Sequence, residues 1–276
     1  MWLVIGGGML VLLIAAMGKQ KKNTCTGYSI IIKDGSDEKY FLSETDIMQL
    51  LKTAVNGDIK GQSKSNFNLR QMENLLEENA WIKDAQLYFD NKDVLHVVVA
   101  EREPVARIFT TRGKSFYIDE DENGIPLSQN LSTDVPVFTG VPDREDRRKK
   151  DSLLLREIRN TAKFISSQPF WRAQVAQVHL VRSDVNSDWE FEMVPVIGNH
   201  IIKLGNGYKI EEKFNRLFIF YKEVLSRTGF DKYKTVDVRF AGQVIGSKSE
   251  KPKVDSIQLR KNVEELLQQI NKVSTE

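Results

Sequence analysis

A single cysteine, Cys25, stands among 276 residues. That excludes an internal disulfide and leaves the compartment unread from cysteine usage. A passive thiol near the membrane is the plainer reading of Cys25 than an interchain bridge or a modification site. Histidine is almost as scarce: His96, His179 and His200 are the full set. None neighbours a cysteine or a recurrent carboxylate in sequence, so each reads as a structural imidazole. No Gly-x-Ser-x-Gly, P-loop or His-Glu-x-x-His pattern occurs. Gly6-Gly7-Gly8 lies inside an apolar run, where glycine serves helix packing and not phosphate binding. An excess of one charge is missing too. Forty Lys and Arg against 38 Asp and Glu leave +2, with no electrostatic footprint for nucleic acid. These absences speak against an enzyme, a cofactor or metal site, a small-molecule substrate and a nucleic-acid partner. What remains is surfaces.

Hydrophobic residues at 41% and charged residues at 28% describe a folded chain, long enough for two domains. Met1–Met17 holds no charge and is followed by Lys19, Lys21 and Lys22. At about 1.5 Å per residue such a helix spans roughly 25 Å, close to the hydrocarbon core. A cleavable signal peptide needs a basic segment ahead of the apolar run and a small-residue cleavage site, and this start has neither. The expectation is a single membrane anchor over 1–18. The lysines after it would, by the positive-inside rule alone, put the body in the cytoplasm.

The stretch Asn68–Ile108 organises the body of the chain. Leu69, Met72, Leu75 and Leu76 recur at helical spacing, and then Ala85, Leu87 and Phe89 alternate as in a half-buried strand. Asn91-Lys92-Asp93 supplies a turn, and Val94–Ala100 resumes as a β-branched run. A helix laid over a hairpin leaves a sheet edge where another chain can pair. Upstream, Tyr28, Ile30 and Ile32 mark a strand. Ser43 caps a helix with Glu44 and Asp46 in its first turn, and Asn56-Gly57 ends it. The order is β-α-α-β-β over 26–101.

Glu101-Arg102-Glu103-Pro104 marks a joint, since proline ends the strand pairing. Over 102–246 the spacing predicts strands at Ser115–Ile118, Val135–Phe138, Val175–Val181, Trp189–Val194, His200–Leu204 and Thr235–Phe240. It also predicts helices at Leu153–Ile165 and Lys209–Leu225. The second helix turns Phe214, Leu217, Phe218, Tyr221, Val224 and Leu225 inward and closes at Gly229. The fold class is α+β: a transmembrane helix, a β-α-α-β-β domain, then a mixed β domain with helices. Asp143–Asp151 is a mixed charge run suited to a solvated loop or to the exposed start of the helix that follows.

Asp119-Glu120-Asp121-Glu122-Asn123-Gly124 matches the first half of an EF-hand loop, but Asn130 stands where a bidentate glutamate belongs. A hairpin turn explains the same letters better. The last predicted strand puts Val236, Val238 and Phe240 on one face and Thr235, Asp237 and Arg239 on the other. It reads equally as a free edge able to take a partner's strand or as a strand paired on both sides. Beyond Pro252, in a helical tail over 247–276, Leu259, Val263, Leu266, Ile270 and Val273 form a short heptad seam. Docking on its own domain is the plainer use of that seam than a partner helix.

In order and spacing across nearly the whole chain, these features resemble the FtsQ/DivIB family of bacterial division proteins, in the style of its Bacteroidetes-type members. Glu101-Arg102-Glu103-Pro104-Val105-Ala106-Arg107 is similar to the family's Glu-x-x-Pro-x-Ala junction. Tyr117-Ile118-Asp119, Gly124-Ile125-Pro126-Leu127 and Pro136-Val137-Phe138-Thr139-Gly140 look like the opening of its β domain. Val236–Phe240 with Gln243-Val244-Ile245 looks like its closing strand segment. The resemblance implies that residues 26–101 are a POTRA domain and that the chain is a non-enzymatic scaffold. It implies a single-pass protein of the inner membrane, N-terminus in the cytoplasm, its bulk periplasmic and gathered at the septum. FtsB and FtsL are the implied partners, and FtsW and FtsI are reached through them. A strand of FtsB would add to the closing strand, with Arg239 and Phe240 matching the family's Arg-aromatic pair and Val236, Val238 and Gln243 supporting it. Phe240 stands where tyrosine is common in the family. The other class of protein that carries such a domain, an envelope assembly or secretion factor, needs a C-terminal barrel that this second domain is too short and too charged to form.

Overall fold

The computed structural model describes residues 24–33, 41–128, 131–143, 153–183, 186 and 188–248. The expected anchor at Met1–Met17, the heptad seam at Leu259–Val273 and nearly all of the Asp143–Asp151 run lie outside the described residues. Among the described residues no helix is long and apolar enough to cross a membrane. The chain forms two compact units, Met1–Arg172 and Ala173–Glu276. Both mix strands with helices, and the class is α+β.

The first unit opens with β1 (Gly27–Lys33), α1 (Glu44–Val55), a 3₁₀ turn (Lys64–Asn66), α2 (Leu69–Glu77), β2 (Ile82–Phe89) and β3 (Val94–Glu101). Ser43 and Asp46 close a reciprocal capping box at the start of α1, and Asn56 ends it in the left-handed region at φ 53°. The sheet order is β1-β3-β2, with β1 parallel and β2 antiparallel to the central β3. Ile30 and Ile32 lie opposite Val97 and Val99, so one sheet face turns inward under both helices. Ile47, Leu51, Met72 and Leu76 come down from α1 and α2, each fully buried and contributing roughly 1.5–3 kcal/mol. The hairpin turn is the expected one. Asp90 accepts the Lys92 and Val94 N–H groups at 2.8 and 2.9 Å, and Asp93 takes φ 62°.

Glu101 ends β3 in the interior, only 2% exposed. Its carboxylate accepts the Phe41 and Leu42 N–H groups at 3.1 and 2.7 Å, which pins the lead-in to α1. Burial pushes its carboxyl above the usual range, and those two donors offset part of the rise. The next residue, Arg102, reaches Asp119 at 2.8 Å.

β4 (Ala106–Thr110), β5 (Ser115–Ile118), β6 (Gly124–Ile125) and β7 (Val137–Val141) lie in this unit too, in the order β7-β4-β5-β6. The strand expected at Val135–Phe138 thus begins two residues later. α3 (Leu154–Ser167) buries Leu154, Ile158, Ala162 and Ile165. The acidic loop is a hairpin turn, with Ile118 opposite Gly124. Asp119 accepts from the Asp121 and Asn123 N–H groups, the Asn123 amide and Arg102. Burial works against its charge, but these donors outweigh it and hold the carboxyl below the usual range.

α4 (Pro169–Gln174), not expected from the sequence, leads into the second unit. There β8 (Val175–Arg182), β9 (Trp189–Pro195) and β10 (Ile201–Gly205) precede α5 (Ile210–Phe220), a π-helical turn (Tyr221–Leu225) and one further helical turn (Ser226–Thr228). β11 (Tyr233–Asp237) and β12 (Ile245–Lys248) follow. Strand order is β8-β9-β10-β11-β12, with only the β10–β11 pair parallel. Phe214, Leu217, Tyr221 and Leu225 face the core as expected, but Phe218 is 42% exposed. Phe218 precedes the π turn on α5, so the buried stripe there is narrower than the apolar pattern suggests.

Candidate functional site

The closing strand is not the border of its sheet. The sequence expects Thr235–Phe240 as one strand, yet the ladder stops at Asp237. β11 pairs with β10 on one side, Ile202 opposite Val236, and with β12 on the other, Val236 opposite Gly246. Val236 and Val238 are completely buried, so neither presents its side chain to a partner. The chain turns through residues 238–244 and comes back as a further antiparallel strand that the sequence pattern does not advertise. Ile245–Lys248 has no apolar alternation, and Gly246 lowers its strand propensity.

Among the described residues the free border therefore belongs to β12. All four of its residues are exposed, and it ends the strand order. The Tyr233 ring packs on it: the ring lies across Gly246, where an added Cβ would come within 2.6 Å of the ring. Phe220 meets Tyr233 edge-on, centroids 5.4 Å apart. A glycine at 246 is what lets this strand approach.

Beside the border, Phe240 and Ile245 are 46% and 44% exposed, and Gln243 is exposed on the connecting turn. Arg239 behaves differently. Its Nε and Nη2 donate to Asp237 at 2.7–3.1 Å, and Nη1 donates to Glu190 of β9 at 2.9 Å. The Asp237 hydrogen bonds push its pKa further up, partial burial opposing them, and Glu190 adds to the rise. The guanidinium carbon sits 5.7 Å from the centre of the Phe240 ring. The residues matched to the Arg-aromatic pair are thus adjacent, one bound by carboxylates within the molecule and one exposed. Glu190, Gly205, Tyr233 and Gly246 belong to the site as well. A glycine in a four-residue apolar-poor run is the one legible hint among them.

The histidines are partnered where sequence shows no neighbour. His96 lies 3.2 Å from Asp90 and stacks on Tyr88, and His179 stands opposite Glu192 on β9. His200 is buried, with Nδ1 donating to the Phe230 carbonyl and Nε2 accepting from the Tyr221 hydroxyl, both at 3.1 Å. A cleft of about 720 Å³ in the first unit runs past Pro104, Asp134 and α3. Its cations are engaged within the molecule, Lys163 by Glu120 and Arg172 by Asp134 at 3.1 Å.

A family model for FtsQ/DivIB, C-terminal related, matches residues 103–247, and one for a POTRA-like domain matches residues 23–100. The cell division protein FtsQ of Geotalea daltonii is 23% identical over 89% of this chain and 86% of its own length. Among solved structures, POTRA1-2 of the periplasmic domain of Omp85 from Anabaena aligns with 32% of this chain and 52% of that chain, at 8% identity and a TM-score of 0.23. With a family model spanning more than half of its length, the chain belongs to the FtsQ/DivIB family.

Proposed function

We propose that this protein is a non-enzymatic scaffold of the bacterial division machinery. Its second domain captures a partner of the FtsB and FtsL type by adding a strand of that partner to β12. The observation that carries this reading is the backbone border of Ile245–Lys248, unpaired among the described residues at the end of its sheet. Such a border offers alternating N–H and C=O groups to an incoming strand, and the side chains beside it select which strand. Phe240 and Ile245 give the apolar contact, Gln243 a polar one, and Val236 and Val238 hold β11 from beneath. Through these partners the scaffold reaches FtsW and FtsI and so septal peptidoglycan synthesis. Met1–Met17 serves as the inner-membrane anchor, with the N-terminus in the cytoplasm and both domains periplasmic at the septum.

Site-specific cross-linking tests this most directly. A Ser247→Cys chain should cross-link to cysteines placed along the partner's strand, and Phe240→Asp should weaken capture while the circular dichroism spectrum stays the same. Capture that survives Phe240→Asp, with no cross-link at position 247, would put the docking site elsewhere.

A further inference from the structure

Four elements converge where the chain leaves β11. Asp237 and Arg239 bond to each other within the strand end. The Lys203 carbonyl of β10 accepts the Val238 N–H at 3.1 Å, and Arg216 of α5 donates to the Val238 carbonyl at 2.8 Å. Gly205 of β10 lies under the Arg239 stem at φ +69°, where a Cβ would meet Cγ at 2.9 Å and Cδ at 3.2 Å. Glu190 reaches in from β9 to hold the outer end of the guanidinium.

These contacts are not equivalent. Asp237 is two residues from Arg239, so that pair moves with the chain and fixes nothing outside itself. Glu190 stands two strands away, with β10 between, and ties the same guanidinium to the body of the sheet. Downstream, among the described residues, there is little else to fix the path. Residues 240–243 are exposed, and β12 is four residues long, held by its ladder and by the Tyr233 ring. A four-residue strand contributes little stability of its own.

We infer that Glu190 is a positioning residue for the docking border. By clamping Arg239 it sets the angle at which the chain leaves β11, and hence where Phe240 and β12 stand. Glu190 acts on β12 only through Arg239. The inference rests on the strand-addition reading of β12. The charge count makes it testable without unfolding the domain. Two carboxylates face one guanidinium, so neutralising Glu190 leaves the Asp237–Arg239 pair intact and balanced.

The experiment compares the full chain with Glu190→Gln and Gly205→Ala by amide hydrogen exchange without partner, then by titration with the extracytoplasmic segment of an FtsB-type protein. Glu190→Gln should speed exchange across residues 239–248 about ten-fold and weaken capture by a similar factor, with β8 to β10 protection and the unfolding temperature unchanged. Glu190→Asp, which keeps the charge on a shorter arm, should recover part of both. Gly205→Ala should loosen the same segment by displacing Arg239. Unchanged exchange at 239–248 in Glu190→Gln overturns the inference, even where Ser247→Cys cross-links normally. Faster exchange with no cross-link at position 247 in the otherwise unaltered chain sinks strand addition instead, while supporting Glu190 as the residue that positions β12.

Discussion

β2 of the POTRA-like domain and β12 of the second unit each end the strand order of a sheet, and their outer backbone groups are treated in opposite ways. At β2, the Leu87 and Ala85 N–H groups point away from β3 and donate to Glu73 and Glu77, at 2.8 and 3.4 Å. Those glutamates lie one turn apart on α2. The roughly 6 Å rise of four helical residues matches the spacing of alternate strand residues. A helix thereby closes the border with carboxylates, one way natural sheets avoid unwanted pairing. Among the described residues no side chain reaches the outer amides of Ile245–Lys248. A border covered by its own helix, set against one left bare among the described residues, distinguishes a structural strand from one suited to receiving a partner.

The sharpest way to break that contrast is to dislodge β12 without touching the core. Gly246→Val places a branched side chain where the Tyr233 ring lies, and a Cβ alone would already come within 2.6 Å. The strand must then lift from β11. Partner capture should fall on the order of 100-fold, about 2.7 kcal/mol, measured by calorimetric titration. The unfolding temperature should change little, because β12 buries no side chain. Undiminished capture in Gly246→Val would mean that the bare border is incidental.

The converse change strips the cover from β2. Glu73→Ala with Glu77→Ala removes both acceptors, and water can replace them only in part. The domain should lose about 1–2 kcal/mol in urea unfolding, the lower end of the cost of unpaired backbone donors because this border is only part-buried. The more diagnostic change is in assembly. An uncovered, β-branched sheet should self-associate with rising concentration in sedimentation velocity. A double variant that stays monomeric would show that the glutamates serve stability alone, and the contrast with β12 would lose its meaning.

Much of the first domain is legible in the sequence because its signals are local. Ser43 and Asp46 are three residues apart, Asn91-Lys92-Asp93 lies between its two strands, and Met72 and Leu76 are one helical turn apart. The second unit hides what matters most. Glu190 and Arg239 are separated by 49 positions, and nothing in either neighbourhood announces the other. The positive φ at Gly205 serves a side chain from a different strand. The π turn at Tyr221–Leu225 breaks the period that a helical reading extends. β12 is short and polar, so pattern assigns the border to the buried strand beside it. Long-range pairing fixes an edge, and pattern alone does not record it.

The smallest expected effect concerns pH, and it separates the two regions once more. The first domain keeps His96 beside the Asp90 carboxylate at 3.2 Å, whereas the second unit seals His200 between the Phe230 carbonyl and the Tyr221 hydroxyl. Burial lowers the His200 pKa below the ordinary histidine value, with the Phe230 carbonyl and Asp231 opposing. Burial likewise pushes the Tyr221 hydroxyl up to about 12, so it stays protonated and donates to Nε2. The unfolded chain then binds more protons than the folded one just below pH 6.5. Stability of the second unit rises with pH through that window and is lost as pH falls toward the depressed folded value. Hydrogen exchange between about pH 7.5 and 5, corrected for its intrinsic pH dependence, should show β10 and the π turn loosening before α1 and β3. His200→Gln should flatten that difference by removing the group that titrates. The His200 ring partners Tyr221 behind the sheet that carries β12, so the same acidification should weaken partner capture slightly in the unaltered chain and not in His200→Gln. A pH response of capture that persists in His200→Gln would show that a group other than His200 sets the acid sensitivity.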